Sequence, residues 1–122
     1  MHPSGVKDSA FAYDNIVDTY FGNPAQRSRY QNAPGGSVVL DAKMLKAILQ
    51  LAEKYTFTIS EIAGASHSRT SNHYDGVAFD IATIDGRYAS YNSLSRAFAA
   101  EAKRIGATAG IVESTCVHID FK

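Results

Sequence analysis

Two histidines and an aspartate in this chain are spaced and flanked as metal ligands are. His73 and Asp80 stand seven residues apart with Gly76 and Ala78 between them, and His118 follows near the C-terminus. A separation of seven suits two ligands on one helix face less well than three or four would. It suits a loop that turns at Gly76 and enters a strand, returning the Asp80 carboxylate to the His73 ring. On such a strand Ala78 and Asp80 share one face, while Val77, Phe79 and Ile81 take the buried one. A carboxylate in so apolar a segment is costly unless a cation accepts it. Val117-His118-Ile119-Asp120-Phe121 repeats the alternation, with His118 and Asp120 on one face. Two imidazoles and one carboxylate, with a fourth position open to water, are the make-up of a catalytic zinc site; structural zinc is usually enclosed by four protein ligands. Water in such a site ionises near neutral pH and attacks carbonyls. The expected metal ligands are therefore His73, Asp80 and His118, with one Zn2+ as cofactor.

The elements that must position these groups are legible as patterns. Residues 7–20 place Phe11, Ile16, Val17 and Tyr20 on one helical face, and Gly22-Asn23-Pro24 stops the run. Residues 23–37 read as a long surface loop, a kind that is often functional inside a compact domain. Leu40, Met44, Leu45, Ile48, Leu49 and Ala52 recur at helical spacing, and Asp41 suits the positive end of that helix. Residues 57–62 alternate and are rich in β-branched side chains, so they read as a strand, with a second over residues 77–82. Leu94, Phe98, Ala102 and Ile105 predict a helix over residues 92–105, ended by Gly106. Residues 111–112 and 117–121 form two last strands around a Glu113-Ser114-Thr115 turn. The sum is an α+β domain, with helices packed on one side of a small, mainly antiparallel sheet.

The bulk properties bound what such a domain does. At 122 residues the chain reads as a single domain over 1–122, of which 1–37 is the less distinctive helix and loop. Twelve basic and twelve acidic residues cancel, which removes the electrostatic case for nucleic acid or an anionic membrane as main partner. No run approaches the roughly 20 apolar residues of a membrane helix, so no membrane insertion is expected. Cys116 is the only cysteine, so it forms no intrachain disulfide and leaves the redox compartment open. Met-His-Pro-Ser-Gly lacks the form of a signal peptide, so an exported protein is expected here as a mature form or an excised domain.

Ser71-x-His73-x-x-Gly76-x-Ala78-x-Asp80-Ile81, followed by Val117-His118-Ile119-Asp120, resembles the signature of the zinc D-Ala-D-Ala carboxypeptidase family. That family includes phage endolysins and shares its fold with the hedgehog signalling domain. The order of helices and strands extends the resemblance over residues 38–122. It implies a hedgehog/DD-peptidase-like fold, zinc on His73, Asp80 and His118, and hydrolysis of peptide bonds in peptidoglycan stem peptides. Carboxypeptidase and endopeptidase action both fit. It further implies a secreted or cell-wall location, with a monomer as the working form. Relatives place an acid three residues before the last histidine to take a proton from water. Here that position is Thr115. Glu113 is then the preferred general base and Asp120 the other, unless Asp120 orients His118 instead. The departure leaves a second reading, a zinc-binding module that engages cell-wall or protein partners without turnover.

Several neighbours carry two readings each. Arg69 resembles the family's arginine that pairs with a substrate carboxylate, a task suited to a guanidinium fork, and equally reads as a solvated loop residue. Ser71 either binds substrate or caps the turn. Tyr74 and Asp75 line the cleft or serve the loop's structure. His67 is an exposed loop histidine or an extra pocket residue. Cys116 is a small buried residue or a thiol that closes the metal site.

Overall fold

The computed structural model describes residues 10–29, 31–65, 67–68 and 70–122; Arg69 lies outside the described residues. Helix α1 (Ala12–Tyr20) leads into two short strands, β1 (Ala25–Gln26) and β2 (Ser37–Val38), and then helix α2 (Ala42–Ala52). Strands β3 (Phe57–Glu61), β4 (Ala78–Ile84) and β5 (Arg87–Tyr88) follow, then helix α3 (Ser93–Arg104) and the closing strands β6 (Ala109–Val112) and β7 (Val117–Asp120). The described residues thus form an α+β fold. Its main sheet runs β3-β4-β7-β6, with β5 also paired to β4 and every pairing antiparallel.

Local chemistry explains the boundaries. Asp41 caps α2 by accepting a hydrogen bond from the Met44 amide at 2.9 Å, and Asn92 does the same for α3 through the Ser95 amide at 2.8 Å. Each cap satisfies an amide that the first helical turn leaves without a partner. Asp85 and Gly86 both have positive φ, +50° and +81°, the backbone of a tight hairpin turn that joins β4 to β5. That hairpin is an addition to the sequence reading; its Asp-Gly signal was present in the chain.

The core gathers on one face of the sheet. Phe79 and Ile81 of β4 and Val117 and Ile119 of β7 share a buried cluster with Met44 and Leu51 of α2 and Phe98 and Ala102 of α3. The Phe98 ring lies 5.2 Å from that of Tyr55 and 5.3 Å from that of Phe57. Burial of a side chain this size contributes about 1.5–3 kcal/mol. Gly110 on β6 lets α3 approach closely, since a Cβ there would stand 2.9 Å from the Ala99 carbonyl oxygen.

Three expectations need correction. Helix α1 does not bury the face of Ile16 and Tyr20; both are exposed, and Ala12 and Asn15 point inward. Asn15 explains the inversion: its Nδ2 donates to the Gln26 carbonyl at 3.0 Å and its Oδ1 accepts from the Ala63 amide at 2.9 Å. A polar group with both hydrogen-bonding functions satisfied can be buried, and here it ties α1 to β1 and to the segment after β3. In α2, Leu49 is exposed and Leu51 takes the core position. The expected loop 23–37 also holds β1 and the first residue of β2, which pair with each other.

Candidate metal centre

Cross-strand register creates the site. Asp80 on β4 pairs directly with His118 on β7, so their side chains leave the same face of the sheet, opposite Phe79, Ile81, Val117 and Ile119. His118 Nδ1 comes to 3.0 Å from Asp80 Oδ1. His73 arrives from the segment before β4. Tyr74, Asp75 and Gly76 amides donate to the carbonyls of Ser71, Asn72 and His73 in turn, coiling the chain tightly. Gly76, at φ +71°, then releases it into the strand. His73 Nε2 thereby lies 3.2 Å from Asp80 Oδ1 and 3.2 Å from His118 Nδ1.

The remaining ring nitrogens fix the tautomers. His73 Nδ1 lies 2.7 Å from the Ile62 carbonyl oxygen, which can only accept, so Nδ1 carries the proton. His118 Nε2 lies 3.3 Å from Asp120 Oδ2 and donates to that carboxylate. In neutral rings, His73 Nε2 and His118 Nδ1 are then bare lone pairs, and both face the Asp80 oxygen. Three electron-pair donors about 3 Å apart repel unless a proton or a metal cation sits among them. The arrangement is a His-His-Asp group at metal-binding distance.

The charges respond accordingly. Burial pushes the Asp80 carboxyl up, but hydrogen bonds from His118 and His73 outweigh it and hold it well below the usual carboxylate range. The hydrogen bond to Asp80 raises His118 above its ordinary value, against the opposing effect of burial. Burial also works upward on Asp120, yet hydrogen bonds from Asn72, the Lys122 amide and His118 keep it low. Burial, followed by the nearby Asp80 and Glu113 carboxylates, pushes the Cys116 thiol up to about 12. Cys116 is thus a thiol, not a thiolate, at neutral pH.

No family model, curated protein or solved structure matches this chain. The roles of its residues therefore rest on their own geometry.

That geometry sorts the expected site residues. His73, Asp80 and His118 converge. Asp120 has both oxygens occupied: Oδ2 by Asn72 Nδ2 at 2.5 Å and by His118, and Oδ1 by the Lys122 amide at 3.1 Å. Its contact with His118 Nε2 at 3.3 Å is the one an orienting residue makes, the alternative weighed for it above. Glu113 is exposed at the β6–β7 turn, where its amide donates to the Cys116 carbonyl and Cys116 Sγ lies 3.6 Å from its Oε2. Ser71 Oγ accepts from the His73 amide at 3.2 Å, which is the turn-capping role. Tyr74 is 4% exposed, so it does not line an open cleft. Its hydroxyl accepts from the His67 amide and its carbonyl accepts from Arg27 Nε at 2.7 Å, so it anchors the site's loops from beneath.

Two contributors were missed or underrated in the sequence. Asn72, which holds Asp120, carries no signal beyond its place next to His73. His67, read as an exposed loop histidine or a pocket residue, is half-buried and stacks on His73, with ring centroids 3.9 Å apart and planes within 5°. Potential ligand atoms of His67, His73 and Asp80 all lie within 4.8 Å of one another. The grouping with His118 is tighter, with separations of 3.0 and 3.2 Å. Burial lowers the His67 pKa to about 4, with the nearby His73 adding to the effect, so this ring is neutral at pH 7.

Proposed function

We propose that this chain is a zinc metallopeptidase that cleaves peptide bonds in the stem peptides of bacterial peptidoglycan, on a hedgehog/DD-peptidase-like fold, in the cell wall or periplasm or after secretion. The observation that carries the metal is the triangle of His73 Nε2, Asp80 Oδ1 and His118 Nδ1, with edges of 3.0, 3.2 and 3.2 Å. Ligands about 2.0–2.1 Å from a tetrahedral zinc stand about 3.3 Å apart, so the three atoms fit one face of that tetrahedron. Two nitrogens and one oxygen also suit zinc better than calcium or magnesium, which favour oxygen throughout. The peptidase activity rests on the resemblance of Ser71-x-His73-x-x-Gly76-x-Ala78-x-Asp80 and Val117-His118 to the D-Ala-D-Ala carboxypeptidase signature.

When bound, zinc would polarise the scissile carbonyl and make water acidic enough to attack it near neutral pH. The residues of the chain supply the rest. Asp80 brings the negative charge that offsets the cation. The Ile62 carbonyl and Asp120 hold the two imidazoles in the tautomers that keep their site-facing nitrogens free. Glu113, exposed in the β6–β7 turn with Oε2 3.6 Å from Cys116 Sγ, is the carboxylate that would take the proton from water.

A second reading, a zinc-binding module without turnover, is favoured by one specific observation. Thr115 occupies the place of the expected acid, and Glu113 is exposed in a turn. Incubating the zinc-loaded protein with muropeptides and analysing the products by mass spectrometry separates the two. New peptide termini that vanish with chelator support the peptidase; intact muropeptides with stoichiometric zinc leave the binding module.

A further inference from the structure

His67 lies beside the triad with its orientation fixed by three contacts. Its Nε2 lies 2.9 Å from the Gly64 carbonyl, which can only accept, so Nε2 carries the proton and Nδ1 keeps the lone pair. Its amide donates to the Tyr74 hydroxyl, and its ring lies flat on that of His73. Two residues earlier, Ala65 adopts φ +63°, a conformation that costs a non-glycine residue about 1–2 kcal/mol. The Ala65 amide, bonded to Ser28 Oγ at 2.9 Å, helps hold that strained backbone. Strain maintained this way in a site loop points to a side chain whose placement matters.

The stacking limits what His67 can do. The lone pair of His73 Nε2 lies in the plane of that ring, and an ion held by it would be approached along that direction. A ring stacked parallel to His73, with centroids 3.9 Å away, keeps its own nitrogens in a separate plane. That offset exceeds the roughly 2.0–2.1 Å of a zinc–nitrogen bond. It suits an atom one step further out. Two groups sharing a water through hydrogen bonds of about 2.8 Å stand roughly 4.6 Å apart. The potential ligand atoms of His67, His73 and Asp80 lie within 4.8 Å of one another.

We propose that His67 is a positioning residue: through Nδ1 it holds, by hydrogen bond, the oxygen that occupies the open side of the His73–Asp80–His118 triad, and it is not itself a metal ligand. The proposal rests on the metal reading above but not on peptidase activity.

The test uses the zinc-loaded chain and acetohydroxamic acid, a small oxygen ligand of zinc, with affinities measured by titration calorimetry. In His67→Ala, zinc remains stoichiometric and its affinity falls by less than the roughly tenfold that marks loss of a ligand's own support. Acetohydroxamate binding falls roughly tenfold or more. His67→Gln, which keeps an acceptor and a similar length, recovers most of it. Loss of zinc in His67→Ala overturns the proposal by making His67 a ligand; unchanged hydroxamate affinity, or no recovery in His67→Gln, overturns it too. A wild-type chain that binds no zinc overturns this proposal and the metal reading together. A wild-type chain that behaves as expected here yet leaves muropeptides intact sinks the peptidase reading alone.

Discussion

Asp80 and His118 face each other across the β4–β7 ladder, and His118 Nδ1 meets Asp80 Oδ1 at 3.0 Å. The pairing lies between two cross-strand pairs, Phe79 with Ile119 and Ile81 with Val117, whose side chains enter the core from the other face. A one-residue slip in this ladder would exchange the two faces, burying the ligands and exposing the apolar residues. The hydrophobic core therefore sets the register of the candidate metal centre. His73 completes the group from a loop whose exit is fixed by a glycine.

The proposed zinc site predicts that each triad residue is needed to hold the cation. His73→Ala, Asp80→Ala and His118→Ala are each expected to lose zinc by more than the roughly 10–100-fold typical of a residue behind the ligands. Zinc content after dialysis against a weak chelator reads this directly. A triad variant that keeps stoichiometric zinc contradicts the assignment.

The groups behind the ligands predict a graded effect. Asp120→Asn and Asn72→Ala leave the triad in place but loosen His118, and zinc affinity should fall roughly 10–100-fold. Competition with a chromophoric chelator gives the ratio. If Asp120 were a base and not an orienting group, Asp120→Asn would bind zinc like the wild type and lose only turnover.

The Asp80–His118 pair gives the metal-free protein a characteristic pH dependence. His118 is raised above its ordinary 6.5, so its contribution is complete below that value and lost as pH rises through the folded value. Asp80 is lowered from 3.8, so its contribution is complete above that value and lost as pH falls through the folded one. Between the two ordinary values the pair acts at full strength. In the presence of chelator, Asp80→Asn should therefore cost about 2 kcal/mol at about pH 5.5 and clearly less at about pH 9. Urea unfolding at both conditions measures the difference, and a cost that grows with pH contradicts it.

Gly76 has a direct test with an internal control. Gly76→Ala puts a Cβ on a residue at φ +71°, 2.9 Å from the Val39 carbonyl oxygen and 3.3 Å from Leu40 Cα. The dihedral alone costs about 1–2 kcal/mol, and displacement of the segment before α2 adds to it. Because Gly76 links His73 to β4, zinc affinity should weaken as well. Gly86→Ala, at φ +81° with nothing within 4 Å, carries only the dihedral cost and should bind zinc normally. Thermal unfolding and zinc titration of the pair decide it.

Much of this was legible in the chain. Period-two alternation around Asp80 and His118 predicts that each leaves its strand opposite the apolar residues, and the register bears this out. The helical spacing of Met44 and Ile48, and of Leu94, Phe98 and Ala102, marks α2 and α3 to within a few residues. Turn chemistry was read less fully: Asp85-Gly86 signals the β4–β5 hairpin. For α1, apolar periodicity chose the wrong face, because Asn15 is buried through partners 11 and 48 residues away.

By itself, the sequence determined which residue types can bind a cation and which strand faces carry them, because side-chain alternation is a local property of an extended backbone. Only the tertiary structure decided what each polar group does once there. Asp120 becomes an anchor for His118 because Asn72 and the Lys122 amide claim its oxygens. Tyr74 becomes a buried support because its hydroxyl meets the His67 segment. His67 reaches the site by stacking on His73, with Gly64, Ser28 and Tyr74 holding its loop. These roles depend on hydrogen bonds and contacts closed by folding, many between residues far apart in sequence, and spacing along the chain does not encode them.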